Sequence, residues 1–125
     1  MARVIALVPD LLFGSQVQGS LTAAGHDVAL TGDEAKARER LAERAGDGGA
    51  VLVVDLTDDR FDGAAILEAL AADGVLDGVS TLAFYSHVDA AARERAQQAG
   101  FDLVVPRSRM AREGATLVDG LAGKG

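Results

Sequence analysis

The sequence predicts one doubly wound α/β domain of five strand–helix units, with a parallel five-stranded sheet in the order 2-1-3-4-5. Three observations carry that expectation. The chain has 125 residues, the length of one domain. Short, uninterrupted apolar runs recur along it, and continuous rather than alternating apolarity marks strands buried on both faces. Between the runs lie stretches with helical spacing and helix-stop signals, and such alternation implies right-handed crossovers with helices on both sides of a sheet.

The elements follow in order. The first run is Val4 to Val8, Val-Ile-Ala-Leu-Val. Leu12, Val17, Leu21 and Ala24 then form an apolar helical stripe that stops at Gly25. A weaker strand is expected over His26 to Leu30. Thr31-Gly-Asp-Glu34 fits a capping box ahead of a helix over residues 35–44. That helix is rich in Glu and Arg and reads as a solvated face, with Glu39 and Glu43 among Arg40 and Arg44. Residues 46–49, Gly-Asp-Gly-Gly, read as a loop. Val51 to Val54 is the third strand, and residues 64–72, with Ile66, Leu67 and Leu70, the third helix. Thr81 to Tyr85 is the fourth strand, followed by an Ala/Arg-rich helix over residues 89–99 that stops at Gly100. Leu103 to Val105 is the fifth strand, and residues 112–121 form the last helix. That helix reaches the C-terminus, so residues 1–125 are read as one domain. With 49% hydrophobic residues but only four Phe, one Tyr and no Trp, the core must be built from Val, Leu, Ile and Ala.

Composition narrows the function. The net charge of −7 disfavours a surface that tracks nucleic-acid phosphates, which needs a basic patch. The absence of Cys removes disulfide and thiolate chemistry. No apolar run approaches the roughly 20 residues of a membrane helix, and the N-terminal run is too short for a signal peptide. A cytoplasmic protein with no membrane partner is expected. No phosphate loop, dinucleotide fingerprint or zinc-ligand spacing occurs. His87 has no second His within motif range and reads as a loop residue, and His26 as an entry to the second strand.

In a doubly wound sheet, ligands bind beyond the C-terminal ends of the strands. Pro9 and Asp10 follow the first strand, and Asp55, Thr57, Asp58 and Asp59 the third. Ser86 and His87 follow the fourth, and Pro106, Arg107 and Ser108 the fifth. Asp55-Leu-Thr-Asp-Asp-Arg-Phe-Asp62-Gly63 and Gly100-Phe-Asp-Leu-Val-Val-Pro-Arg107, together with Asp10 and Ser86, resemble the receiver domains of bacterial response regulators, the CheY-like family of flavodoxin-like fold. The resemblance covers nearly the whole chain. It implies two-component signalling, a phosphoacceptor at Asp55, phosphoryl contacts from Ser86 and Arg107, and Mg²⁺ held by Asp10 and Asp55.

Several positions depart from the family pattern. Pro9 stands where a second metal-facing carboxylate is usual. Arg107 replaces a Lys, with Pro106 before it and Ser108 after it. Val104 replaces an aromatic switch residue, and Asp58-Asp59 replaces Leu-Pro. Phosphoryl transfer to a carboxylate needs charge neutralised on the equatorial oxygens. Mg²⁺ favours carboxylate oxygen in octahedral geometry, and Arg offers a planar fork in place of a compact ammonium. Each candidate also has a structural reading. Asp55 could simply end a strand and start a turn. Asp10 could cap the first helix, and Ser86-His-Val-Asp89 could be a capping box. Arg107 could form an ion pair with Asp55.

The resulting expectation is a pseudo-receiver. It is a signalling module rather than an enzyme, acting through a protein partner or homodimer with weak or no phosphorylation. By resemblance, the contact lies around residues 92–95 and 109–112. The alternatives are a receiver phosphorylated on Asp55 with Mg²⁺, and a flavodoxin-type binder of flavin or another phosphorylated ligand.

Overall fold

A computed structural model describes residues 2–43, 50–58, 62–86 and 88–123. The readings of residues 46–49, Arg44, Asp59 and His87 fall outside them. The element order is β1 (Arg3–Leu7), α1 (Leu11–Ala23), β2 (Asp27–Thr31), α2 (Glu34–Glu43), β3 (Ala50–Asp55), α3 (Gly63–Ala72), β4 (Val79–Tyr85), α4 (Ala90–Ala99), β5 (Leu103–Pro106) and α5 (Arg107–Ala122). The strands form one sheet in the order β2-β1-β3-β4-β5, and each adjacent pair is parallel. The predicted doubly wound architecture is therefore the observed one.

Strand side chains alternate between two cores, because successive Cβ atoms point to opposite faces. Val4, Ala6, Val51, Val53, Leu82 and Phe84 pack with α1 and α5. Ile5, Leu7, Leu52, Val54 and Ala83 pack with α2, α3 and α4. All of β3 is buried, which explains why Val51 to Val54 reads as an unbroken apolar run. The edge strand β2 is only partly buried, which explains its weaker signal.

Helix ends differ in detail from expectation. The buried stripe of α1 is Phe13, Gly14, Val17 and Leu21. Leu12 is exposed, and Ala24 is the C-cap rather than a core position. Gly25 follows at φ 94°, the left-handed geometry that favours glycine. Thr31 does not cap α2: it ends β2 and donates its hydroxyl to the Ala6 carbonyl at 3.3 Å. Asp33 caps instead, accepting the Lys36 N–H at 2.8 Å. The solvated face of α2 carries Arg38–Glu34 and Arg40–Glu43 pairs at 3.0 and 2.9 Å. The largest boundary difference is α5, which begins at Arg107 immediately after β5. Proline is pre-set for a helix start, and Pro106 occupies the N-cap position.

His26 stands just before β2 and does more than enter it. It is buried at 6% exposure. Its Nδ1 accepts the Ala2 N–H at 3.0 Å, so the ring proton lies on Nε2, 2.6 Å from Asp119 Oδ1 in α5. The ring thus joins the start of β1 to the end of α5. His26→Ala leaves the buried Ala2 N–H without its acceptor. A loss of about 1–3 kcal/mol is expected in urea denaturation.

Candidate functional site

The C-terminal edge of the sheet gathers the predicted residues in layers. Asp55, the last residue of β3, is 1% exposed. Its Oδ1 accepts both donors of Thr57, the backbone N–H at 2.7 Å and the hydroxyl at 2.6 Å. This is an Asx-type turn at the strand end, the local bond that Asp favours there. The Thr57 hydroxyl is a partner that the sequence reading passed over.

Burial raises the Asp55 carboxyl above its ordinary value near 3.8, because a desolvated carboxylate is costly. The two Thr57 bonds oppose that rise. The negative charge of Asp58 adds to it, and the positive charge of Arg107 opposes it. A carboxyl whose pKa is raised on folding binds protons more readily in the folded than in the unfolded chain. Stability therefore falls as pH rises from the unfolded value through the folded one, and the penalty is full above it. An Asn at this position keeps an oxygen for both Thr57 donors and carries no charge. Asp55→Asn is accordingly expected to raise the melting temperature near pH 7, and to lose that advantage below about pH 3.5. Thermal melts at the two pH values check this; a destabilised variant at neutral pH would contradict it.

Asp10 is the N-cap of α1, its Oδ1 accepting the Phe13 N–H at 3.0 Å. Its Oδ2 faces the Arg107 guanidinium at 3.7 Å. The expected structural ion pair of Arg107 thus forms with Asp10, and Asp55 Oδ1 is engaged by Thr57 instead. The reason is the early start of α5, which puts Arg107 on its first turn opposite the start of α1. There the guanidinium also lies over the Phe13 ring, 4.3 Å from its centroid. Phe13 in turn packs against Phe84, with ring centroids 5.1 Å apart. A stack therefore runs from the rim into the core. Phe13 was absent from the expected stripe; its place one turn into the helix that Asp10 caps is the signal that could have found it.

Ser86 is half-buried, and its carbonyl accepts the Asp89 N–H at 2.8 Å. The expected capping box is not formed from Ser86: Asp89 caps α4, accepting the Ala92 N–H at 3.0 Å. Asp10, Phe13, Gln16, Thr57, Ser86 and Arg107 border one open cleft of about 790 Å³. Buried Asp55 does not border it and is joined to it through Thr57.

The donor set is poorer for Mg²⁺ than the family pattern. Pro9 offers no carboxylate, both oxygens of Asp10 face protein donors, and Asp55 Oδ1 holds two more. An octahedral ion there would compete with these partners, while the Thr57 donors engage Asp55 Oδ1 and not Oδ2. Among the described residues, no group of three His, Asp or Glu side chains is placed to hold a metal. Nor, among them, is any helix long and apolar enough to cross a membrane.

Within residues 92–95 and 109–112, expected to mark a partner face, Arg95, Arg109 and Arg112 are internally paired. Arg95 binds Glu68 of α3 through two bonds of 2.7 and 3.0 Å. Arg109 and Arg112 both reach Glu113, at 3.5 and 3.4 Å. Val104 is half-buried against the core of α2, α3 and α4.

No protein-family model matches the chain, and no curated protein matches it. Solved structures do match. The receiver domain of a Francisella response regulator aligns at a TM-score of 0.81 and 15% identity, over 99% of this chain and 98% of its own. The receiver domain of the TMAO respiratory system response regulator TorR aligns at 0.83 and 18%, over 99% and 98%. The signal receiver domain of the putative response regulator NarL from Mycobacterium tuberculosis aligns at 0.77 and 22%, over 98% and 96%. The fold is the flavodoxin-like fold of response-regulator receiver domains.

Proposed function

We propose that the chain is an atypical receiver-like signalling module that works through protein–protein contacts, with little or no phosphoryl transfer to Asp55 and no enzymatic activity of its own. One observation carries this reading. The carboxylates that a receiver offers to metal and phosphoryl group are here bonded to protein donors, Asp10 to Phe13 and Arg107, and Asp55 to Thr57. Arg107 is further held on Phe13. These bonds hold the two carboxylates within the fold in the place an ion would take.

A second reading keeps Asp55 as a phosphoacceptor. Its support is position: Asp55 ends the central strand, and Ser86 and Arg107 border the cleft above it. A flavodoxin-type phosphate site has less support, because the carboxylate of Asp10 already occupies the N-terminus of α1. Incubation with acetyl phosphate and Mg²⁺, followed by intact-mass measurement, separates the first two. The proposed function predicts no phosphorylated species; a mass gain of one phosphoryl group that Asp55→Asn abolishes would overturn it.

A further inference from the structure

Away from the cleft, a buried titratable group stands at the opposite edge of the sheet: His26, just before β2, with a side chain 3% exposed. Both ring nitrogens are in use. Nδ1 accepts the Ala2 N–H at 3.0 Å, and Nε2 donates to Asp119 Oδ1 at 2.6 Å. Ala2 is itself fastened to β2, its carbonyl accepting the Asp27 N–H at 2.9 Å. The ring thus closes a chain of bonds from α5, through the residue before β1, to the start of β2.

This arrangement fits only the neutral ring. An imidazolium carries a donor on each nitrogen and no acceptor. A proton on Nδ1 would face the Ala2 N–H, donor against donor, and turning the ring over presents the same conflict. The conflict is relieved where the chain is least anchored, at Ala2, close to the chain end. Asp119 acts in the other direction: charging the ring makes its bond to the carboxylate charge-assisted, and so stronger.

The surrounding charges leave that contest to Asp119. In α1, whose Leu21 carbonyl accepts the His26 N–H at 3.1 Å, no residue from Leu11 to Ala23 is charged. On β1 and β2, Arg3 and Asp27 form their own pair at 2.7 Å. The other charged residues of α5, Arg107, Arg109, Arg112 and Glu113, lie further back along the helix.

We infer that His26 is a proton-operated catch: on binding a proton at Nδ1 it keeps α5 through Asp119 and releases Ala2 from the β1–β2 edge. No covalent bond changes. The inference goes beyond the proposed function and does not depend on it, since no residue of the cleft takes part.

The test follows the full chain from Met1 by NMR between about pH 8 and pH 5, the span in which imidazoles change charge. Ring nitrogen shifts report the protonation of His26. Hydrogen exchange reports the Ala2 and Asp27 amides, corrected for the ordinary pH dependence of exchange. The Nε2–H form is expected at the upper end. As the ring charges, protection of both amides should fall by about tenfold, with the same midpoint as the ring. Asp119→Asn keeps an oxygen for the Nε2 proton and removes the counter-charge, so the shared step should move to lower pH. His26→Asn offers an amide oxygen in place of Nδ1 and cannot be protonated, so both amides should lose the step, which also separates it from any titration of Asp55. A ring that charges while both amides stay protected would overturn the inference. So would a ring that stays neutral across the range, a step that Asp119→Asn leaves in place, or one that survives in His26→Asn.

Discussion

Truncation of Phe84 to alanine is expected to cost about 3–5 kcal/mol of stability, the range for removing a large aromatic from a packed core. Phe84 lies in β4 at 0% exposure and is among the largest fully buried side chains. Its ring packs at 59° to that of Phe13. With few aromatics in the chain, no neighbour has the volume to refill the space. The loss should also reach the site, because Phe13 also carries the Arg107 guanidinium over its ring. Urea denaturation measures the stability, and amide shifts of residues 10–13 and 107 report the loosened stack. A loss below about 1 kcal/mol would contradict the packing described.

Alanine at Gly63 should cost about 1–3 kcal/mol through overpacking. Gly63 is the first residue of α3 and is buried. A Cβ built there would stand 2.7 Å from Leu56 Cδ2 and 2.8 Å from Val54 Cγ1. Leu56 can turn away, but Val54 is β-branched and fully buried. The Asp62 side chain that caps this helix through the Ala65 N–H, at 3.0 Å, would be shifted with it. Because the segment begins at Asp55, the strain should appear as altered amide shifts at Thr57 as well as lower denaturant stability. Unchanged stability would mean that the close approach of α3 to the end of β3 is absent.

Most of the fold was legible because it depends on patterns that survive without tertiary information. Unbroken runs such as Val51 to Val54 can be buried on both faces only in a covered sheet, and Gly25 and Gly100 punctuate their helices. Helix starts were less legible. α2 and α4 begin within one residue of expectation but are capped by Asp33 and Asp89, because several Ser, Thr and Asp residues compete for each cap and tertiary packing chooses among them, and only α5, after Pro106, begins well before the expected place. The site was legible as a set of strand ends. Asp10, Asp55, Ser86 and Arg107 all reach the C-terminal edge through connectivity alone. Their bonding was not. Whether Arg107 meets Asp10 or Asp55 depends on where α5 begins, and the Thr57 clamp on Asp55 depends on a turn geometry that any residue order around it could have adopted.

Amide and carboxyl NMR during titration with beryllofluoride and Mg²⁺ tests the central claim most directly. If the carboxylates of the rim are committed to protein donors, the spectrum of Asp55, Thr57 and Arg107 should stay unchanged at millimolar ligand, and Asp55→Asn should behave like the parent. Saturable shifts at Asp55 and Thr57 that require Mg²⁺ and vanish in Asp55→Asn would contradict it, and would return the chain to the phosphorylatable receivers whose fold it shares.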